Sequence, residues 1–208
     1  TVSANQTAGF SIVKYTGNGS SNVSVGHGLN VAPDLYIVKS RSSVRDWWVY
    51  TTAVDGSFDY LVLNTTAAKA NSTLTAPTST LFYQSEGDAS ITYCFASKPG
   101  FSKVGSYTGN GSADGPFVNT GFKPAWVMIK RTDSTGNWLM YDNKRPEYNA
   151  AYYLLANDNF GGDGTDVPVD ILSNGFKIKG SNAASNASSG TYLYQAFAES
   201  PQKTATAR

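Results

Sequence analysis

The placing of apolar and polar residues along this chain reads as a series of short β-strands, in places with a period of two. In SITYCFAS, Ile91, Tyr93 and Phe95 fall on one side of an extended strand and Thr92, Cys94 and Ala96 on the other. LYIVKSR (from Leu35) and AWVMIKR (from Ala125) are short runs rich in β-branched and aromatic residues. ILSNGFKI sets Asn174-Gly175 between two apolar arms, which predicts a two-residue hairpin turn with positive φ at both central positions. Residues 146–157, PEYNAAYYLLAN, could pass for a helix. Their counterpart earlier in the chain, SFDYLVLN, reads as a strand, so a strand is expected in both places.

That counterpart exists because the sequence repeats. YTGNGS occurs at Tyr15–Ser20 and again at Tyr107–Ser112, inside the longer matches GFSIVKYTGNGS (from Gly9) and GFSKVGSYTGNGS (from Gly100). Pro33 then aligns with Pro124, Val38-Lys39 with Ile129-Lys130, Trp47 with Trp138, and Tyr50 with Tyr141. YLVLN lies over YLLAN, and CFASKP over AFAESP. The expected organisation is two tandem β-sandwich domains of similar fold, jelly-roll or lectin-like in character. They occupy residues 9–99 and 100–201, with a lead-in segment at 1–8 and a C-terminal tail at 202–208. In each copy Gly-Asn-Gly reads as a turn between strands. Neither completes G-x-G-x-x-G, since the third position is Asn22 or Asp114, so a phosphate-binding loop is not expected.

Composition sharpens this picture. Charged residues make up only 15% of the 208-residue chain, and sixteen basic residues nearly balance fifteen acidic ones without forming blocks. A nucleic-acid partner, which needs clustered Lys and Arg, is therefore not expected. No apolar run approaches the roughly 20 residues of a membrane helix, so no membrane insertion is expected. A lone cysteine, Cys94, excludes an intrachain disulfide.

Candidate chemistry is sparse. His27 is the sole histidine, and without a G-x-S-x-G elbow it reads as a structural imidazole bonded to backbone at a glycine-flanked bend. One His and one Cys leave no zinc ligand set, and three glutamates give no evident carboxylate pair for glycoside hydrolysis. No catalytic residue, metal site or cofactor is assigned. NDNFGGDGTDVPVD carries Asp158, Asp163, Asp166 and Asp170 on a Gly-rich stretch, which reads either as a solvated turn or as a Ca²⁺ loop outside the EF-hand pattern. Candidate ligand-binding residues come from two places. Trp48 beside Arg45 and Asp46 has the make-up of a sugar platform, an apolar ring face with polar groups alongside. Strand alternation sends Trp47 to the opposite face, where its match to Trp138 marks a core position. The second place is the Tyr-, Asn- and Asp-rich stretch holding Tyr148, Tyr152, Asp158 and Asp163.

At VGHGLNVAPDLYIVKSR and YTGNGSADGPFVNTGFKPAWVMIKRTD, the chain resembles a repeat domain of structural proteins of marine tailed phages, cyanophages among them, often tail-fibre proteins. The closing CFASKP and AFAESP complete the resemblance, which runs from about Gly9 to Pro201. It implies a β-sandwich fold, a place in the virion on the tail fibre or capsid exterior, and homo-oligomers, trimers by analogy with fibre tips. It transfers no catalytic residues. The expected function is a non-enzymatic receptor-binding module that adheres to a host cell-surface glycan or protein. The alternatives are a capsid decoration or tail-assembly protein that binds other virion subunits, and a host-polysaccharide depolymerase, which would need a carboxylate pair.

Overall fold

The alternation translates into strands. The computed structural model describes residues 1–85, 87–145, 153–159 and 167–201, and among them the one helix is a single turn. The chain divides into two compact units. Unit 1 is Thr1–Asn64 with Lys69–Lys98; unit 2 is Thr65–Ala68 with the chain from Pro99 onward. The loop Thr65–Ala68 lies within the first repeat by sequence but belongs to unit 2. Residues 1–8 are not a separate lead-in, because a strand within them pairs into unit 1.

Unit 1 carries β1 (Val2–Asn5), β2 (Phe10–Thr16), β3 (Val23–Gly26), β4 (Leu35–Ser40), β5 (Trp48–Thr51), β6 (Asp59–Val62), β7 (Ala70–Asn71), β8 (Leu81–Gln84) and β9 (Ala89–Phe95). Seven of these form one antiparallel sheet in the order β1-β2-β9-β4-β5-β6-β7, and β3 pairs with β8 in a second. Unit 2 carries β10 (Ser102–Thr108), β11 (Asp114–Asn119), β12 (Pro124–Arg131), β13 (Trp138–Asp142), β14 (Tyr153–Leu155), β15 (Val169–Leu172), β16 (Gly175–Lys179), α1 (Ala183–Asn186) and β17 (Thr191–Ala198). Its sheets run β10-β17-β12-β13-β14 and β11-β16-β15. The order β2-β9-β4-β5-β6 is thus repeated as β10-β17-β12-β13-β14, and the two units share one β-sandwich topology.

Each core lies between its two sheets. In unit 1, Val13, Tyr36, Val38, Tyr50 and Cys94 of the large sheet close on Phe82 of β8, with Tyr36 stacked on Tyr50 at 5.0 Å. In unit 2, Val127, Ile129, Leu139, Tyr141, Tyr192 and Tyr194 meet Val118, Val169, Phe176 and Ile178. These side chains alternate with others on the far face of the sheet, as strand geometry requires.

Both copies of the glycine-rich turn join strand to strand, β2 to β3 and β10 to β11, and no helix follows either. In each, the Asn side chain accepts from a backbone N–H two residues on, Asn18 from Ser20 at 3.0 Å and Asn110 from Ser112 at 2.9 Å. The next glycine takes positive φ, 77° at Gly19 and 67° at Gly111, a conformation other residues resist.

The hairpin β15–β16 forms, but its turn sits at Ser173-Asn174, with Leu172 paired to Gly175. Gly175 is demanded by a close approach: a Cβ there would collide with the Val118 carbonyl oxygen of β11. Within residues 146–157, β14 is a strand as expected, and residues 146–152 lie outside the described residues. Among the described residues no helix is long and apolar enough to cross a membrane.

Candidate functional site

The hairpin loops β12–β13 and β4–β5 are built to one plan around a lysine. In unit 2, Lys130 points off β12 on the face away from the core and is fully buried, as is Trp138. Its Nζ donates to the Gly136 carbonyl at 2.8 Å and to the Thr66 carbonyl at 3.2 Å, and lies 6.0 Å from the centre of the Trp138 ring. The Gly136 N–H also donates to Thr66 O, at 2.9 Å. Asn157 braces the far side: its Oδ1 accepts from the Trp138 N–H at 2.7 Å, and its Nδ2 donates to Asn137 Oδ1 at 2.9 Å. A backbone segment, Thr65–Ala68, is thereby clasped by an ammonium and an amide converging on one carbonyl. Burial lowers the Lys130 pKa to about 8, and the neighbouring Arg131 charge adds to that.

Unit 1 repeats the frame. Lys39 Nζ donates to the Arg45 carbonyl at 3.0 Å and lies 5.9 Å from the Trp47 ring. Asn64 Oδ1 accepts from the Trp47 N–H, and Asn64 Nδ2 donates to Asp46 Oδ1, both at 2.9 Å. The clasped segment has no counterpart. Lys39 instead turns to its neighbour's carbonyl, Ser40 O at 3.1 Å, and the Arg45 N–H has no partner among the described residues. Lys39 and Trp47 are only half-buried.

The loop above this clamp is fastened from below and open at its tip. Asp88 accepts from Ser43 Oγ at 2.9 Å and from Arg45 Nε at 3.1 Å, and those two donors, hydroxyl first, hold its carboxyl below the usual range. Ser42 Oγ accepts from the Ala89 N–H, and Arg41 N–H donates to Ala89 O. Between these fixings Val44 is fully exposed.

The candidate residues separate. Arg45 and Asp46 lie in this loop, committed to Asp88 and Asn64. Trp48 does not face them: its ring is half-buried on the core-facing side of β5, edge-on to Tyr60 at 5.3 Å. Trp138 is fully buried but lies with Lys130 on the sheet face away from the core, and Trp47 holds the matching place half-buried, so the face expected to be core is the outer one. Asp158 is exposed and accepts from the Asn159 N–H at 2.7 Å. Tyr148, Tyr152 and Asp163 lie outside the described residues, as does Asp166. Asp170, on β15, pairs with Lys179 at 3.5 Å. Among the described residues no three His, Cys, Asp or Glu side chains gather to hold a metal. The clamp itself had a visible signal, a lysine within an apolar strand in both repeats, each followed by a matched tryptophan.

His27 has the structural role its setting indicates. It is buried, its Nδ1 accepts from the Leu29 N–H at 3.2 Å, and its Nε2 therefore carries the proton and donates to Thr78 O at 3.1 Å. Burial lowers its pKa below 6.5, partly offset by the Thr78 carbonyl. The unfolded chain thus takes up a proton more readily than the folded one. Stability is full above pH 6.5, declines as pH falls below it, and levels off once the folded imidazole protonates. Urea midpoints measured between about pH 7.5 and pH 5 should fall, and the slope should flatten in His27→Gln.

A family model described as Domain of unknown function (DUF7483) matches residues 1–201. The chain belongs to this family. The matched span takes in all the strands of both units, so the family's domain is the tandem pair and not a single repeat. Comparison with curated proteins and with solved structures gives no match.

Proposed function

We propose that the protein is a non-enzymatic adhesion module of a phage virion, carried on a tail fibre or the capsid exterior, that contacts a host cell-surface glycan or protein. The observation that carries this reading is the β4–β5 loop. Its backbone is held through Lys39, Asn64 and the Arg41 N–H, and its Ser43 and Arg45 side chains are held by Asp88, while Val44 at its tip is fully exposed and the Arg41 side chain is exposed. A loop fixed before contact loses little conformational entropy on binding, which suits weak contacts multiplied over many copies.

The test is binding of the fluorescently labelled 208-residue protein to intact candidate host cells. Saturable binding to one host, weakened about tenfold or more by Val44→Ser, is expected. Binding that Val44→Ser leaves unchanged would remove the loop from the account.

A second reading, a decoration or tail-assembly protein that binds other virion subunits, draws support from the clamp in unit 2. There the same loop architecture holds a stretch of polypeptide. Attachment to stripped virions without binding to any host cell would favour it.

A further inference from the structure

Each chain presents one open clamp and, at Asp158–Asn159, a second copy of the turn that enters the filled one. We propose that the Asp158–Asn159 turn of one copy enters the Lys39–Arg45 clamp of a second copy, so that chains associate head to tail.

The filled clamp defines the fit. Thr66 follows the turn that leaves β6, and that turn is set by Leu63 N–H donating to Trp47 O at 2.9 Å and by the Asn64 brace. Asn159 follows the turn that leaves β14, set in the same way by Ala156 N–H donating to Trp138 O at 3.0 Å and by the Asn157 brace. Thr66 and Asn159 therefore hold equivalent places. The Thr66 carbonyl takes two donors, whereas the Asn159 carbonyl has no hydrogen bond among the described residues. On the other side, the donors matching Lys130 Nζ and Gly136 N–H are Lys39 Nζ, which falls back on its neighbour's carbonyl, and the Arg45 N–H, which is unused.

Charge agrees with the pairing. Asp158 is exposed where the filled segment has the neutral Thr65, and Arg41 on the rim of the open clamp has no ion pair among the described residues. Thr135, which holds the place of Val44, stays exposed above the filled clamp, so docking leaves the adhesive tip free. Because segment and clamp are different surfaces, the contact is heterologous and generates a closed ring or an open filament.

This goes beyond the adhesion reading and is tested without host cells. The full chain is followed by analytical ultracentrifugation across concentration, beside Lys39→Met and a double variant Arg45→Cys/Asn159→Cys under oxidising conditions. Concentration-dependent association is expected, weakened about tenfold or more by Lys39→Met, with the double variant giving disulfide-linked multimers. A ring and a filament both support the proposal. A protein that stays monomeric up to on the order of 1 mM overturns it. So does association that Lys39→Met leaves unchanged, or a disulfide closing within single chains.

Discussion

Truncating Trp138 to alanine is expected to destabilise the protein by about 3–5 kcal/mol, whereas Trp47→Ala costs about 1–2 kcal/mol. The two tryptophans occupy matched positions in the repeat and sit under matched lysines, so residue type does not separate them. Burial does: Trp138 is fully enclosed and Trp47 half-open. Removing the indole of Trp138 leaves a cavity that fixed backbone on both sides cannot fill. It also strips Lys130, a buried ammonium, of the ring face beneath it. At Trp47, water replaces much of what is lost. Midpoints of urea denaturation for the two variants measure the difference, and equal losses would mean that the two clamps are equally filled.

Asn186→Ala carries the second large effect, about 3 kcal/mol. This side chain is fully buried at the end of α1 and fastens the second glycine-rich turn. Its Oδ1 accepts from the Asn110 N–H at 2.8 Å, and its Nδ2 donates to Ser112 O at 2.8 Å, Gly180 O at 2.9 Å and Asn110 Oδ1 at 3.0 Å. Alanine removes all four bonds and leaves a cavity where a fully buried side chain stood; Asn110 Oδ1 keeps the Ser112 N–H, and each group left unmatched and shielded from water costs about 1–3 kcal/mol. Asn186→Asp should also lose heavily, because a carboxylate returns the acceptor but not the donors. A urea midpoint within error of the parent for either variant would contradict this account of the turn.

The internal repeat made much of the fold legible. Matching Tyr15 to Tyr107 and Lys39 to Lys130 supplies the common strand order, and the two β-sandwiches follow from the period-two pattern. The orientation of Trp47 and Trp48 was harder. Alternation separates them, but both faces of the large sheet bury apolar residues: Leu35, Val49 and Leu61 on one, Tyr36, Val38 and Tyr50 on the other. With no polar face to mark solvent, the sequence pattern does not say which side is the core. The Asn174-Gly175 signal failed for a different reason. Its glycine answers to the approach of Val118 from another strand, a tertiary demand that resembles a turn preference in sequence.

The clamp was the least legible feature. Its lysine and tryptophan are visible as matched residues, but the acceptors are the carbonyls of Thr66 and Gly136, and a backbone oxygen leaves no trace in residue type. Arg45 and Asp46 were legible as loop residues beside a tryptophan. Their partners, Asp88 and Asn64, lie far along the chain and belong to other strands' ends.

Amide hydrogen exchange at two matched positions tests the central claim, that one clamp is filled and the other open. In dilute protein the Gly136 amide, bonded to Thr66 O, should exchange slowly, and the Arg45 amide should exchange at close to the rate of an open loop. Equal protection at the two sites in dilute protein would contradict the account.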